Sequence, residues 1–335
     1  MFMKKLGLIL ILFIIVLSGC GEIDENGSTS PSEESSIHTT IIGGRTGGAW
    51  SVFTEGVAES IRREDQGAIV TVEPGGIVEN PPAVNTGKVS FGLSYAMTAY
   101  AAYTGGEPYN ESFKDIRAVS VVIPGNYYQF LVPKSLEFET IDALIKNKAP
   151  IRLAVDQEGS AGEMITRTIL EQYNVAYEDI ISWGGSVDYL SGSKTFEMMA
   201  DHRIDATGDA VSVPSSDIIE ASTTIDLKML PIDEEIAQKV SETLGMEQAT
   251  IEKGSYGFLE KNIHTLSTPV ILLTHKDIGE EEVYQVTKAI YENLDYLGTV
   301  HEEFNSLTVE KMTDVGEIPL HPGAEKFYQE LGLVD

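Results

Sequence analysis

Cysteine and basic residues are both scarce in this chain. Cys20 is the only cysteine among 335 residues, so there is no internal disulfide framework and no second thiol for catalysis or metal binding. Lysine and arginine together number 23 against 52 aspartates and glutamates, which leaves a net charge of −29. This balance argues against nucleic acid and anionic lipid as partners, because both repel an acidic protein.

Motifs for a bound metal ion or nucleotide are also missing. His-Glu-x-x-His does not occur, the acidic residues do not form a calcium loop, and neither a P-loop nor Gly-x-Gly-x-x-Gly is present. We therefore expect no metal ion and no cofactor.

Two short segments resemble parts of serine hydrolases, and they keep an enzyme open as the less favoured alternative. Residues 191–194 match the Ser-x-x-Lys pattern of penicillin-recognising enzymes, but the Ser-Asp-Asn and Lys-Thr-Gly elements are missing. Residues 92–96 resemble a nucleophile elbow around Ser94, but no histidine stands in a recognisable triad context. We expect a protein without enzymatic activity.

One long apolar run is present, at the N-terminus. Lys4 and Lys5 precede an uninterrupted apolar segment from Leu6 to Leu17, and Leu-Ser-Gly-Cys ends it at Cys20. The run is short for a membrane span and has the layout of a secretory signal. The ending resembles the bacterial lipobox, which predicts a signal peptide over residues 1–19 and lipidation of Cys20. An uncleaved anchor with a coincidental cysteine is the alternative, and both place the domain outside the cytoplasm at a membrane.

Residues 20–37 are polar, rich in serine and acidic, and they contain no basic side chain. Such a segment cannot bury enough apolar surface to order itself, so we expect a flexible tether. Removal of residues 1–19 takes away only Lys4 and Lys5 among the charged residues and changes the net charge from −29 to −31. The remaining chain of about 300 residues exceeds a comfortable single domain, which favours two lobes.

Strand-like and helical segments alternate from residue 39 onward, and this order predicts an α/β fold with largely parallel sheets. The predicted strands are 40–42, 69–72, 89–93, 116–123, 128–132, 151–155, 180–183, 204–207, 225–230 and 270–274. Helical spacing of apolar residues marks 50–61, 163–173 and 283–297.

A glycine-rich turn over residues 43–48 joins the first strand to the first helix. Helix starts offer unpaired N–H groups and a positive dipole end, so this turn is a candidate anion site, with Thr46 as the predicted helix cap. Residues 156–162 repeat this strand, turn and helix order, and Ser160 adds a hydroxyl before the helix. The alternative for both turns is an ordinary strand-to-helix connection.

Four segments resemble, in this order, those of TAXI-type solute receptors, the binding subunits of TRAP transporters. They are Gly-Gly-Arg-Thr-Gly-Gly-Ala-Trp at 43–50, Gly-Gly-Ile-Val-Glu-Asn at 75–80, Gly-Ser-Ala-Gly at 159–162 and Pro-Leu-His-Pro-Gly-Ala-Glu-Lys-Phe-Tyr at 319–328. The resemblance covers about residues 39–330. The chain departs from the family pattern at Arg45 and at the prolines after Asn80, and both departures put the ligand in doubt.

The resemblance implies a two-lobed fold of the type II periplasmic binding protein kind, with a hinge. Lobe one is expected at 38–124 plus 266–335 and lobe two at 125–265. The implied ligand is a small carboxylate such as glutamate, a related amino acid or a dicarboxylate. The implied partners are the ion-gradient-driven TRAP membrane subunits, and the receptor itself is expected to be a monomer. A receptor of an ATP-driven importer and a sensor subunit remain alternatives.

The residues expected to line the cleft lie at strand ends and in the two glycine-rich turns. They are Arg45, Thr46, Gly47, Gly48, Ala49, Ser94, Tyr95, Tyr128, Gly159, Ser160, Ala161, Gly162 and Asp209. Within this set, Asp209 is the expected acceptor for a ligand amine. Tyr127 and Gln129 are expected on the hinge side, and Trp50 is expected either in the core or on the cleft wall.

Overall fold

A computed structural model describes residues 36–335 of the chain. The predicted signal peptide, the lipidation site Cys20 and nearly all of the tether lie outside the described residues. Among the helices that the structure describes, none combines the length and the apolar composition needed to cross a membrane.

The described residues alternate between strands and helices. The strands are β1 (His38–Ile42), β2 (Ile69–Glu73), β3 (Phe91–Tyr95), β4 (Ile116–Pro133), β5 (Arg152–Ala154), β6 (Ser186–Asp188), β7 (Ala206–Val211), β8 (Leu227–Leu230), β9 (Glu247–Ile251) and β10 (Ile263–His275). The helices are α1 (Ala49–Glu64), α2 (Asn80–Asn85), α3 (Ala96–Thr104), α4 (Ile141–Lys146), α5 (Ala161–Gln172), α6 (Tyr177–Ser182), α7 (Ser193–Ala200), α8 (Ser216–Ser222), α9 (Glu234–Leu244), α10 (Glu280–Glu292), α11 (Leu294–Val300) and α12 (Pro322–Glu330). Short 3-10 helices cover Glu302–Ser306 and Glu310–Thr313.

The strands form one mixed sheet in the order β2-β1-β3-β10-β4-β7-β5-β6, with β8 beside β4 and β9 beside β10. The pairs at either end of this order, β1 with β2 and β3, and β5 with β6 and β7, are parallel. The two central strands, β4 and β10, run antiparallel to each other and to their neighbours. The sheet therefore has two parallel halves, β1–β3 and β5–β7, joined by an antiparallel centre.

Strands β4 and β10 connect the two halves of the sheet, since β10 pairs with β3, β4 pairs with β7, and the two strands pair with each other. The first part of β4 pairs with the end of β10, and its second part pairs with β7 and β8. The prediction of two separate strands at 116–123 and 128–132 is therefore wrong. Gly125 bends the chain at a φ of 84°, but the pairing continues past it at Asn126 with Thr268 and Tyr127 with Ser267. Because pairing with β10 continues on both sides of the register shift at this bend, β4 remains one strand.

Residues 180–183 are not a strand, contrary to the sequence-based prediction. They belong to α6 and its C-terminal cap at Trp183. The carboxylate of Asp179 accepts a hydrogen bond of 2.8 Å from the backbone N–H of Ala176, which caps the helix start. Ile180 is buried while Ile181 is exposed, so this short segment has one apolar side only.

The predicted helix 283–297 is interrupted at Asn293, between α10 and α11. The side-chain amide of Asn293 donates hydrogen bonds to the carboxylate of Glu64 (2.8 Å) and to the backbone carbonyl of Ala289 (3.0 Å). This buried amide holds the bend between the two helices against the end of α1.

Asn80 ties the carboxyl ends of β1 and β3 together. Its amide nitrogen donates to the backbone carbonyls of Gly43 (2.9 Å) and Leu93 (2.8 Å), and its oxygen accepts from the N–H of Gly76 (3.0 Å). Asn80 is fully buried at the start of α2, and the two prolines that follow it occupy the first turn of that helix. Prolines are tolerated there because first-turn N–H groups have no partner within the helix.

The C-terminal segment packs against β4. His321 caps α12, because its Nδ1 accepts a hydrogen bond of 3.1 Å from the N–H of Gly323. Leu320 forms a parallel bridge with Ala118, and the hydroxyl of Tyr328 donates to the carbonyl of Val119 at 3.0 Å.

Candidate functional site

A cavity of about 320 Å³ lies beside the central strands. Its walls come from three places: the end of β3 in the first half, strand β4, and the β5–β7 half with helices α7 and α8. The lining residues are Tyr95, Gln129, Leu131, Asp156, Ser191, Gly192, Thr195, Phe196, Thr207, Asp209, Ala210, Val211, Ser215, Asp217 and Ile218.

Asp209 lies on β7 between two close backbone approaches. A Cβ added to Gly162 would lie 2.7 Å from Oδ1 of Asp209, so the first turn of α5 packs directly behind this carboxyl. Oδ1 also accepts a hydrogen bond of 2.7 Å from the N–H of Ala210. Asp209 is half-buried, and the surface it retains faces the cavity. The sequence Gly-Asp-Ala thus presents one carboxyl to the cavity and leaves room for α5 behind it.

Asp156 approaches Asp209 from the loop after β5. Its backbone has a φ of 58°, a left-handed conformation that aspartate tolerates better than most residues. Burial, the negative charge of Asp156 and a hydrogen bond between the two carboxyl groups together raise the pKa of Asp209 to about 8. Two carboxylates this close do not both ionise readily, so the pair holds a proton at neutral pH.

Asp217 brings a third carboxyl group to the same cavity. It lies in the first turn of α8, and a Cβ added to Gly192 would lie 3.2 Å from its Oδ2. Gly192 has a φ of 59° and is the N-cap of α7 without a side-chain cap. The start of α7 therefore faces a carboxylate of this chain.

Thr195, in the first turn of α7, has a buried hydroxyl group. Only 2% of this residue is exposed, and its Oγ1 has no hydrogen-bond partner within the part of the chain that the structure describes. A buried polar atom without a partner costs roughly 1–3 kcal/mol. Since Thr195 lines the cavity, a bound molecule is the natural source of that partner.

Gln129 on β4 is locked in place at the cavity wall. Its Nε2 donates to the backbone carbonyls of Val211 (3.2 Å) and Ser212 (3.3 Å), and its Oε1 accepts from the hydroxyl of Tyr256 at 2.8 Å. The same hydroxyl accepts from the N–H of Ser215 at 3.0 Å. These bonds hold β4, β7 and the start of α8 at a constant distance around the cavity.

Tyr95, at the end of β3, is the lining residue contributed by the β1–β3 half of the sheet. Its ring packs edge-on against Trp50 of α1, with the ring centroids 4.9 Å apart. Burial raises the pKa of the Tyr95 hydroxyl, and the negative charges of Asp209 and Asp156 add to this effect. Trp50 is half-buried and packs behind Tyr95, outside the cavity lining, so α1 is connected to the cavity through one aromatic contact.

Of the residues predicted from the sequence, Tyr95 and Asp209 lie on the cavity wall. The first turn, Arg45, Thr46, Gly47, Gly48 and Ala49, is exposed and lies outside this lining. Thr46 does not cap α1, contrary to the prediction, because Gly48 is the N-cap and no side chain bonds there. Arg45 forms no ion pair with any of the residues that the structure describes.

The other predicted residues lie behind the wall. The hydroxyl of Ser94 donates to the carbonyl of Tyr95 at 3.0 Å, and the hydroxyl of Tyr128 bonds to that of Thr166 at 2.9 Å. Gly159, Ser160, Ala161 and Gly162 form the start of α5 behind Asp209, where Ser160 accepts a bond of 3.2 Å from the N–H of Glu163. Ser94, Tyr128 and the residues of this turn remain predictions as ligand-binding residues.

Several wall residues were not selected from the sequence. Asp156 stood in the second turn but was not singled out, and Thr195, Ser215 and Asp217 belong to α7 and α8, two short helices that the apolar pattern did not reveal. Ser191 was noted only for the Ser-x-x-Lys pattern. Lys194 of that pattern is paired with Glu197 at 2.9 Å on the surface.

The charges on the cavity wall are all of one sign. Three aspartates line it, and no lysine, arginine or histidine does. Within residues 36–335, no group of three histidine, cysteine, aspartate or glutamate side chains has a geometry suited to a metal ion. The wall also offers hydroxyl groups of serine, threonine and tyrosine, so it is polar and acidic.

Comparison with solved structures supports this architecture. MatC (Rpa3494) from Rhodopseudomonas palustris, with bound malate, is 12% identical, with 88% of this chain and 97% of that chain covered and a TM-score of 0.51. PhnD1 from Prochlorococcus marinus (MIT 9301), in complex with methylphosphonate, is 12% identical, with 89% of this chain and 98% of that chain covered and a TM-score of 0.51.

Two sheet halves joined by long central strands, with a cavity lined from both, give the two-lobed fold of periplasmic binding proteins. The fold class predicted from the sequence is confirmed. The chain belongs to the NMT1-like family, which it matches over residues 41–332. The finer assignment to the TAXI type remains a proposal.

Proposed function

We propose that this protein is an extracytoplasmic solute receptor of the TAXI type. It captures a small carboxylate-bearing solute between its lobes and delivers it to ion-gradient-driven TRAP membrane subunits. The observation that carries this proposal is the cavity of about 320 Å³ whose wall combines Tyr95 of the first half with Asp209 of the second. A solute that touches both walls stabilises the closed arrangement by contacts that exist only there.

The lobes in this proposal are residues 38–124 plus 266–335 and residues 125–265. Two chain segments cross between them, one near 124–126 and one near 266–268. Both crossings fall inside long strands, β4 and β10, and the left-handed backbone of Gly125 lies at the first of them. Small rotations about these points change the width of the cavity without breaking either half of the sheet.

The lipidated N-terminus belongs to the same proposal. Cys20 anchors the mature protein to the outer face of the bacterial cell membrane, and residues 20–37 give the domain reach above the lipid. Replacement of Cys20 by serine is expected to release the protein from washed membranes. A gene for a large many-spanning subunit beside this one would support the TRAP partnership, whereas a neighbouring P-loop ATPase would favour an ATP-driven importer.

Tryptophan fluorescence offers a direct test of solute capture. Trp50 and Trp183 are the two tryptophans, so in the Trp183→Phe variant all tryptophan emission comes from Trp50 beside Tyr95. We expect a saturable change in emission with a binding solute and recovery of that solute unchanged. The matched Trp50→Phe variant, which retains Trp183 at the end of α6, is expected to show little change.

The panel for this titration contains amino acids, diamines, dicarboxylates, keto acids and sugars. If none of them changes Trp50 emission or raises the thermal midpoint, the receptor proposal fails, because a ligand that binds only the folded state stabilises it by mass action. If a solute is chemically consumed, an enzyme becomes the better explanation.

A further inference from the structure

The cavity wall restricts the charge of the solute, and this inference rests on the proposed function. Asp156, Asp209 and Asp217 all face the cavity, and its lining includes no basic side chain. At most one proton is shared between Asp156 and Asp209 near neutral pH, so the wall keeps about two negative charges. A glutamate or dicarboxylate ligand would add negative charge to this wall without a cation to oppose it.

The helix starts at the cavity do not change this conclusion. Two helix starts reach the wall, those of α7 and α8. The carboxylate of Asp217 lies in the first turn of α8 and against Gly192 at the start of α7. Arg45, the arginine of the glycine-rich turn at residues 43–48, is exposed and lies outside the cavity lining. An anion in this cavity would therefore compete with carboxylates of the protein itself for the few donors on the wall.

An independent observation indicates that the wall is built around a bound molecule. The hydroxyl of Thr195, a residue of the cavity lining, is buried and lacks a partner within the described residues. A threonine hydroxyl both donates and accepts, and an N–H group of a ligand is a suitable donor to it. Carboxylates and hydroxyl groups together form an acceptor set for a positively charged nitrogen.

We propose that the cavity binds a small organic cation, a solute that carries an ammonium or guanidinium group and a net positive charge. The three aspartates and the hydroxyl of Thr195 hold its charged nitrogen. When the solute also carries a carboxylate, as a basic amino acid does, that group points to the Tyr95 wall and the start of α1. The strongly acidic chain, with its net charge of −29, attracts such solutes and repels dicarboxylates before contact.

The test is isothermal titration calorimetry of the purified protein with solutes matched in size. L-arginine and 1,4-diaminobutane are the cationic probes, L-glutamate and L-malate are the anionic probes, and calcium chloride is the metal probe. We expect at least one cationic probe to bind about tenfold or more tightly than either anion. L-arginine binding without 1,4-diaminobutane binding identifies an amino acid cation, and the reverse result identifies a simple amine.

Variants of the wall test which groups hold the cation. At about pH 9, where Asp209 is ionised, Asp217→Asn and Asp209→Asn are each expected to weaken binding of the cationic probe about tenfold or more, because each loses a charge-assisted hydrogen bond. Thr195→Val keeps the side-chain shape and is expected to weaken binding severalfold. The matched control is Asp201→Asn, which removes an exposed carboxylate at the other end of α7 and is expected to leave affinity unchanged.

The affinity for the cation is expected to rise between pH 6 and pH 9, as the proton shared by Asp209 and Asp156 is lost. The groups that face Asp209 are Asp156 on the loop after β5, Asp217 on α8, and the hydroxyls of Tyr95 and Tyr128. The two tyrosines stay protonated over this range because burial raises the pKa of each. The rise is expected to be smaller in Asp209→Asn.

Four results would overturn this inference. Tighter binding of glutamate or malate than of either cation would reject it while the receptor function stands. Unchanged cation affinity in both Asp217→Asn and Asp209→Asn would place the charged nitrogen elsewhere. Calcium binding that the same substitutions abolish, without binding of an organic cation, would assign the wall to a metal ion. Absence of binding by every probe class would reject this inference together with the receptor function.

Discussion

Asp209 shows how one residue links the packing of this protein to its chemistry. It is placed by two neighbours without side-chain bulk, Gly208 before it in the chain and Gly162 behind it in space. A Cβ on Gly208 would lie 2.5 Å from the hydroxyl oxygen of Thr166, so the strand carrying Asp209 is pressed onto α5. This packing confines the carboxyl group of Asp209 to the cavity side of the strand, and its pKa is raised because it is enclosed there.

The raised pKa predicts the direction of a pH effect on stability. The folded protein keeps the Asp209 proton up to about pH 8, whereas the unfolded chain loses it near pH 4. The free energy of unfolding should therefore fall as the pH rises from about 4 to about 8. For one proton, the free energy of unfolding changes by at most about 1.4 kcal/mol per pH unit. Because Asp209 faces the cavity, the change is smaller than this limit.

Urea unfolding of the native protein and of Asp209→Asn at a series of pH values measures this effect. The variant cannot lose the proton, so its stability should fall less steeply over the same range. Other acidic groups with raised pKa values, such as Glu282 and Glu303, are present in both proteins and cancel in the comparison. Parallel curves for the two proteins would show that Asp209 is ionised in the folded state at all these pH values.

At the scale of elements, the two strand-to-helix turns resemble each other in sequence but differ in how their helices begin. The turn before α5 ends in a side-chain cap, because Ser160 accepts a hydrogen bond from the N–H of Glu163. The turn before α1 has none, and its glycines serve packing: Gly43 and Gly44 lie so close to Thr54 and Trp50 that no side chain fits between them.

This difference predicts unequal costs for two similar substitutions. Ser160→Ala should lower the free energy of unfolding by about 1 kcal/mol, because an N-cap hydrogen bond is lost. Thr46→Ala, the matched change in the other turn, should alter it by less than about 0.5 kcal/mol, as is usual for an exposed residue without a structural role. Denaturant unfolding of the two variants measures both free energies. An equal loss of unfolding free energy in Ser160→Ala and Thr46→Ala would mean that Thr46 has a role outside the helix cap.

At the scale of the whole molecule, β4 and β10 join the two parallel halves of the sheet. They pair with each other over eight registered positions with several register shifts, and each also pairs with strands of one half. The bonds of Gln129 tie β4 to β7 and, through Tyr256, to the start of α8. These bonds brace the wall of the second half, so for the proposed two-lobed receptor we expect relative motion of the lobes near Gly125 and the facing register shift at Thr268.

This arrangement predicts closure on binding. A solute that contacts Tyr95 and Asp209 together should lower the radius of gyration measured by small-angle X-ray scattering, because it favours the closed population. Asp217→Asn at the same solute concentration should show a smaller decrease, since fewer molecules are occupied. The same radius with and without saturating solute would indicate that the lobes do not move.

Much of the fold was predictable because its signals are local. The β-branched strand β1, the apolar spacing of Phe53, Val57 and Ile61 on α1, and the glycine turns each reflect preferences within a few residues. The α6 segment was mispredicted because Ile180 and Ile181 alone favour a strand, while the cap from Asp179 decides for a helix. The unbroken β4 was missed because Pro124 and Gly125 usually end strands, and only pairing with β10 carries the chain past them.

The sequence by itself determined the α/β class, the acidic composition, the polar segment at residues 20–37 and the strand ends that carry Tyr95 and Asp209. Each of these depends on composition or on neighbours along the chain. Only the tertiary structure decided that Asp156, Asp209, Asp217 and Thr195 share one cavity. These residues come from four separate segments, and their meeting depends on the order of strands in the sheet and on glycines that allow helices to approach. The charge of that cavity, and with it the class of solute, is a property of contacts between segments that no local pattern contains.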